Sequence, residues 1–146
     1  MTVFTIESGA YQNALKDLDK DVEVMGQACP PFYDLVVSGK ISGPEVEEIV
    51  RKYISVFDDS DSNTLVLGCT HYPVLLPVIK KFISPDVTIV DPAVEVVVQA
   101  KSHLKLDKKE EATYKFYTSG SVENFIKIGE NILGSPMKNV EEVHWE

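Results

Sequence analysis

Short apolar runs alternate along this chain with stretches of helical spacing. The short runs are β-prone and predict strands; they lie at 3–6, 22–25, 64–67, 87–90, 114–117 and 140–145. Stretches in which apolar residues recur every three or four positions predict helices; they lie at 10–18, 32–37, 46–57, 73–83, 93–104 and 122–133. This alternation predicts an α/β fold in which helices flank a mostly parallel sheet, with right-handed crossovers.

Local signals predict where two of the helices begin. Ser42 and Glu45 have the spacing of a capping box, in which each side chain accepts a backbone N–H of the first helical turn. Asp91 and Pro92 supply a helix cap and a first-turn proline for the helix at 93–104.

The run at 64–67 has no polar alternation, which is typical of a strand covered by helices on both faces. In contrast, the prolines within 28–31 restrict the residues before them, so that segment is predicted to be irregular. Ligands of open parallel sheets bind beyond the carboxyl ends of the strands. Functional side chains are therefore expected in loops that follow strands, above all in the loop after residue 67.

The composition is that of one globular unit. The chain has 146 residues, of which 44% are hydrophobic and 25% charged. Its net charge of −9 opposes binding to nucleic acid or to an anionic membrane surface. No apolar run approaches the roughly 20 residues of a membrane-spanning helix, and the first residues lack the pattern of a signal peptide. We therefore expect a cytoplasmic protein whose two cysteines are reduced.

The best site candidate directly follows the most apolar predicted strand. Gly68 allows the backbone to turn there, which places the Cys69 thiol at the strand tip, close to the amides of the next predicted helix. Such a position favours the thiolate, the form that acts as a base or nucleophile. Thr70 and the nearby amides can bind a carboxylate, and His71 can exchange a proton with a neighbouring thiol.

Three other interpretations of these residues stay open at this point. Cys69 can be a small buried hydrophobic residue, with His71 a hydrogen-bonded loop residue. Cys69 and His71 can join Cys29 or His103 around zinc, although the spacing is not that of a known zinc site. Cys69 can also be the nucleophile of a hydrolase or transferase with His71 as its base, for which their closeness in sequence is unfavourable geometry.

The Gly-Cys-Thr-His-Tyr-Pro segment at 68–73 resembles the second-cysteine motif of the glutamate racemases, which are cofactor-independent amino-acid racemases. Further similar segments follow the family's order and spacing: Thr-Ile-Glu-Ser-Gly-Ala-Tyr at 5–11, Ala-Cys-Pro at 28–30, Val-Asp-Pro-Ala at 90–93 and Thr-Ser-Gly at 118–120. The resemblance covers essentially the whole chain, but only the second half of such an enzyme. It implies that 1–92 form the enzyme's second α/β domain and that 93–146 return to complete the first.

The resemblance also implies roles for individual residues. Cys69 would be one of two catalytic cysteines that face opposite sides of the substrate α-carbon. Thr70 and His71 would contact the substrate, and His71 would also tune the thiol. The family's Asp-Ser-Gly and Ala-Cys-Asn-Thr motifs do not occur here. Cys29 matches a family cysteine that is not catalytic, so we expect it to be structural.

The implied activity is the interconversion of L- and D-glutamate for peptidoglycan synthesis, with no cofactor and no metal. Because the first catalytic half is missing, we expect the isolated chain to be incomplete as an enzyme. Its helices at 93–104 and 122–133 would then expose apolar surface and favour a homodimer or association with the missing half. The non-enzymatic alternative is an inactive truncated product that acts as a binding or interaction module.

Overall fold

The computed structural model describes residues 3–104 and 113–144. The helices are α1 (Val3–Glu7), α2 (Ala10–Leu18), α3 (Pro30–Val37), α4 (Pro44–Ile54), α5 (Leu76–Ile79), α6 (Pro92–His103) and α7 (Val122–Leu133). The strands are β1 (Thr64–Val66), β2 (Thr88–Val90), β3 (Phe116–Thr118) and β4 (Val140–Glu142). Two 3-10 turns, Ser55–Phe57 and Tyr72–Leu75, follow α4 and precede α5.

The strands form two separate parallel pairs. β1 pairs with β2 in the register Thr64 to Thr88, and β3 pairs with β4 in the register Phe116 to Val140. Each pair is joined through at least one helix, as parallel strands require. The predicted α/β class with parallel strands and flanking helices is confirmed.

The hydrophobic core lies where α3, α4 and α5 pack near β1. Its largest fully buried side chains come from all three helices and the turn before α5: Phe32, Val36, Val46, Val50, Leu75 and Ile79. The ring of Phe32 meets the rings of Tyr53 and Tyr72 edge-on, with centroids 5.7 and 5.3 Å apart. These helices therefore support the loop that follows β1.

Two predicted strands are not strands in the structure. Residues 3–6 belong to helix α1, in which the Ser8 N–H donates to the Phe4 carbonyl at 2.9 Å. Residues 22–25 form neither helix nor strand. A strand needs a neighbour for its backbone groups, whereas a helix satisfies them within its own segment. No strand pairs with either segment among the described residues.

Three helix boundaries also differ from the predictions. Helix α3 begins at Pro30 and not at residue 32, since prolines fit a first turn whose N–H groups need no helical partner. The capping box is not formed: Gly43 occupies the cap position with φ 102°, and Glu45 instead pairs with Lys40 at 2.9 Å. The helix predicted at 73–83 is a 3-10 turn followed by the single turn of α5.

The strand at 64–67 is not covered on both faces. Leu67 is buried and Leu65 packs against the core, but Val66 is only half-buried and Thr64 is exposed. The described part of the chain therefore covers one face of β1 well and leaves the other partly open.

Several local predictions are confirmed. The Asp91 carboxylate accepts the Ala93 N–H at 3.0 Å and caps α6. Helix α7 has the predicted bounds, and it ends where Gly134 adopts φ 65°, a left-handed conformation that glycine takes without strain. The charged run at 107–111, predicted to be a solvated connection, lies outside the described residues.

The second part of the chain exposes apolar side chains, as expected. Four valines of α6 are more than half exposed, and Ile132 and Leu133 of α7 are similarly open; the valines are Val94, Val96, Val97 and Val98. No helix in the described residues is long and apolar enough to span a membrane.

We predict that Leu75→Ala lowers the free energy of unfolding by about 3 kcal/mol, because Leu75 is 0% exposed and its truncation leaves a cavity in the core. The measurement is urea denaturation followed by circular dichroism. The matched control is Leu133→Ala, at a leucine that is 55% exposed, which should change stability by no more than about 0.5 kcal/mol. Equal effects of the two substitutions would contradict the proposed core.

Candidate functional site

The three predicted site residues lie together in the loop after β1. The Leu67 N–H donates to the Val90 carbonyl at 2.9 Å, and the Gly68 N–H then bonds back to Val66 at 3.1 Å, which turns the chain off the sheet. Cys69 and His71 are half-buried beyond this turn, and Thr70 is exposed. Cys69 thus follows the rim of the sheet and is half-buried, with one side packed against the core.

The thiol and the imidazole are within contact distance. Cys69 Sγ lies 3.8 Å from His71 Nδ1, and Thr70 Oγ1 lies 3.5 Å from the same nitrogen. Which atom donates in these contacts depends on the tautomer of the imidazole. The group combines a sulfur that can take up a proton, a ring nitrogen that can exchange one, and an exposed hydroxyl that can bind an anion.

Tyr33 is a neighbour of the site that was not predicted from the sequence. Its ring lies on α3 and meets the His71 ring edge-on, with centroids 4.9 Å apart. This contact packs an aromatic ring against the imidazole. The signal that could have suggested it is the position of Tyr33 shortly after the Ala-Cys-Pro segment at 28–30, which resembles the family.

Cys29 and Tyr72 lie behind the site in the core. The Tyr72 hydroxyl donates to the Cys29 carbonyl at 3.1 Å, and the Cys29 thiol contacts the Gln27 carbonyl at 3.7 Å. Burial raises the pKa of the Cys29 thiol to about 11. Burial, and to a smaller extent the nearby thiols of Cys29 and Cys69, also raises the pKa of Tyr72. Both groups are therefore neutral at neutral pH, and Cys29 has the structural position expected of it.

One expectation and one alternative interpretation for this loop are not supported. A long helix does not follow Cys69, so the electrostatic contribution of one 3-10 turn and the four-residue α5 is small compared with that of a full helix. Across residues 3–104 and 113–144, no group of three or more His, Cys, Asp or Glu side chains could hold a metal ion. The zinc site that would join Cys69 and His71 to Cys29 or His103 is therefore not formed.

Comparisons with known proteins show what the chain as a whole is similar to. No protein-family profile matches the sequence. Curated relatives do: the chain is 37% identical to a glutamate racemase of Thermoanaerobacter sp. strain X514 and 35% identical to one of Bacillus cereus. Each match covers 99% of this chain and 56% of the relative. The chain thus spans about half the length of the curated relatives it matches.

Solved structures give the same result. A glutamate racemase isoform from Bacillus anthracis superposes with a TM-score of 0.84 at 34% identity, over 98% of this chain and 55% of that one. The Francisella tularensis glutamate racemase, solved in complex with D-glutamate, gives a TM-score of 0.79 at 30% identity, over 96% and 54% of the two chains. In both sequence and fold, this chain is therefore similar to amino-acid racemases. More particularly, it is similar to about half of a glutamate racemase.

We predict that iodoacetamide at pH 8 modifies Cys69 at least about tenfold faster than Cys29 in the folded chain, since Cys69 is only half-buried whereas Cys29 is 5% exposed. Peptide mass spectrometry measures both rates. In 8 M urea, where neither thiol is protected, the two rates should approach each other. Equal rates in the folded chain would show that Cys29 is not held in the core.

We also predict that this chain loses stability in alkali through Cys29. Its thiol pKa is raised from an ordinary 9.0 to about 11, so the unfolded chain ionises first and the free energy of unfolding falls as pH rises from about 9 to 11. The expected loss from this group is on the order of 1 kcal/mol per pH unit in that interval. Urea denaturation at pH 7, 9 and 10 measures it.

The control for this loss is Cys29→Ala, which removes the thiol. Its stability should be lower at pH 7 because of the smaller side chain, but should fall less steeply between pH 9 and pH 10. The same slope in both proteins would mean that Cys29 does not carry the effect.

Proposed function

We propose that this chain is the C-terminal part of a glutamate racemase and that Cys69 acts there as one of two acid/base thiols. The observation that carries the proposal is the half-buried Cys69 beyond the carboxyl end of a parallel strand, with its Sγ 3.8 Å from His71 Nδ1. Substrates of open α/β sheets bind at this edge. The D-glutamate in the Francisella tularensis relative supports glutamate as the substrate.

The chemistry is a proton transfer at the α-carbon. The Cys69 thiolate takes the α-proton, so that a C–H bond breaks, an S–H bond forms, and the electron pair stays on the substrate as a carbanion or enolate. A thiol on the opposite side of the carbon then returns a proton and inverts the centre. In the reverse direction Cys69 is the donor. The α-proton is weakly acidic, so the reaction needs an oriented base and electrostatic stabilisation of the developing charge.

Thr70 and His71 have supporting roles in this proposal. The exposed Thr70 hydroxyl and neighbouring amides bind a substrate carboxylate, which withdraws charge from the α-carbon. The imidazole of His71 accepts or donates at Nδ1 and so sets how readily the nearby thiol changes its protonation state. The edge-on contact with Tyr33 makes that tyrosine a positioning residue for the imidazole.

The proposed division into domains follows the two sheets. Residues 1–92 would be the second α/β domain of the enzyme and contain β1 and β2, whereas 93–146 would return to complete the first domain and contain β3 and β4. The exposed valines of α6 support this division, because apolar side chains on a returning segment would pack against the rest of the first domain.

The opposing thiol is not available within these residues. The Ala-Cys-Asn-Thr motif that would carry it does not occur in the sequence, and Cys29 is buried with a raised pKa. We therefore propose that racemisation requires the other half of the enzyme. The complete enzyme would act in the cytoplasm, need no cofactor and supply D-glutamate for peptidoglycan.

Two alternatives make different predictions. A truncated product that acts only as an interaction module would bind a partner without exchanging substrate protons. A hydrolase or transferase with Cys69 as nucleophile is compatible with the 3.8 Å contact to His71, and it would form a covalent acyl-enzyme that a racemase does not form.

The test is α-proton exchange of D- and L-glutamate in deuterated water, followed by NMR. The chain alone should show no exchange, whereas the chain mixed with the complementary first half of the Thermoanaerobacter racemase should exchange both enantiomers. Cys69→Ser should reduce the exchange by the mixture roughly 10²- to 10⁴-fold, because a general acid/base is lost.

The control is Cys29→Ala, which removes the other thiol and should retain exchange once its folding has been checked by circular dichroism. Unchanged exchange with Cys69→Ser would refute the assignment of the catalytic thiol. Exchange by the chain alone would refute the requirement for a second half.

A further inference from the structure

The Cys69 thiol and the His71 imidazole have a chemical capability besides proton transfer. Thiolate sulfur and imidazole nitrogen are preferred ligands of zinc and similar soft divalent ions. Cys69 Sγ lies 3.8 Å from His71 Nδ1. A tetrahedral Zn²⁺ ion, with bonds of about 2.3 Å to sulfur and about 2.05 Å to nitrogen, holds two such ligands about 3.6 Å apart. The observed separation is therefore close to that of two ligands on one metal ion.

The backbone and the neighbouring side chains hold this pair in place. The Tyr72 N–H donates to the Cys69 carbonyl at 3.1 Å, and the Val74 N–H donates to the His71 carbonyl at 3.2 Å. Cys69 packs against the hydrophobic core, and the Tyr33 ring packs against the imidazole. Ligands that are already held near each other lose little conformational freedom when an ion binds.

A metal site made of this pair would be open. Within 3–104 and 113–144, no third His, Cys, Asp or Glu side chain joins the two. A tetrahedral ion would therefore keep two positions for water, whereas structural zinc sites fill all four positions with protein ligands. The net charge of −9 raises the concentration of cations near the chain. These features favour reversible binding of an ion on which folding does not depend.

We propose that Cys69 and His71 form a reversible binding site for Zn²⁺ or a similar soft divalent ion, which blocks the thiol. The thiol proton passes to solvent, a metal–sulfur bond forms, and Nδ1 donates its lone pair to the ion while Nε2 keeps the ring proton. No atom changes its oxidation state. The blocking of racemisation rests on the proposed function, because it requires Cys69 to be an acid/base thiol. The binding itself does not.

The softness of the two ligands predicts which ions bind. Mg²⁺ and Ca²⁺ prefer oxygen ligands and should not compete for this pair. The exposed carboxylates at 58–61 attract the hard ions instead. Excess Mg²⁺ therefore separates binding at the thiol and imidazole from general attraction of cations to the acidic surface.

The test is a titration of the reduced full chain with Cd²⁺ in excess Mg²⁺, followed by the ultraviolet charge-transfer band of a cadmium thiolate. The band should saturate at one ion per chain, and Zn²⁺ should displace it. Cys69→Ser should abolish the band because the thiolate is lost. His71→Ala should weaken binding of Cd²⁺ at least about tenfold, because one of two protein ligands is removed.

The matched controls remove the same groups elsewhere. Cys29→Ala removes the buried thiol, and His103→Ala removes an exposed imidazole of α6; both should retain the band and its affinity. Circular dichroism checks the folding of each variant. If His71→Ala does not fold, His71→Asn replaces it, since a carboxamide is a poor ligand for a soft ion.

A band that survives Cys69→Ser would overturn the proposal, as would unchanged affinity in the His71 variant. Loss of the band in excess Mg²⁺ would also overturn it and would assign the ion to the acidic surface. In the mixture with the first half of the Thermoanaerobacter racemase, saturating Zn²⁺ should suppress glutamate exchange, and a chelator should restore it. Unchanged exchange with the ion bound would refute the blocking of the thiol. Absence of exchange without metal, together with retained Cd²⁺ binding by the chain, would refute the proposed function alone.

Discussion

The parallel pairing of β1 with β2 is the constraint on which the rest of the site depends. The register from Thr64 to Thr88 ends with the bond from Leu67 to Val90, and the chain leaves the sheet directly afterwards at Gly68. Buried side chains of α3, α4 and α5 form the core against which Cys69 of this loop packs. The position of the Cys69 thiol therefore follows from backbone pairing and core packing more than from the loop's own bonds.

The two cysteines lie in different environments. Cys69 is half-buried at the rim of the sheet, beside an imidazole. Cys29 lies in the core beneath it, where ionisation would place a charge among apolar side chains. Tyr72 connects the two cysteine positions. It directly follows His71 in the loop, and its hydroxyl donates to the Cys29 carbonyl.

Helices and strands depend to different degrees on other segments of the chain. Helices α6 and α7 keep their predicted spans although many of their apolar side chains are exposed, because a helix satisfies its backbone groups internally. Segments 3–6 and 22–25 do not form the predicted strands, because the backbone groups of a strand need hydrogen-bond partners on another segment.

The sequence by itself determined the α/β class, the span of α7, the Asp91 cap and the loop that carries Cys69, Thr70 and His71. Each of these depends on local periodicity, on a cap within a few residues, or on a motif of consecutive residues. Only the tertiary structure decided that Tyr33 contacts His71, that Glu45 pairs with Lys40 in place of capping its helix, and that 22–25 is no strand. The contact of Tyr33 with His71 and the lack of a strand partner for 22–25 depend on segments far apart in the sequence. The Lys40–Glu45 pair is close in sequence, but it competes with the capping box, and the local pattern does not show which of the two forms.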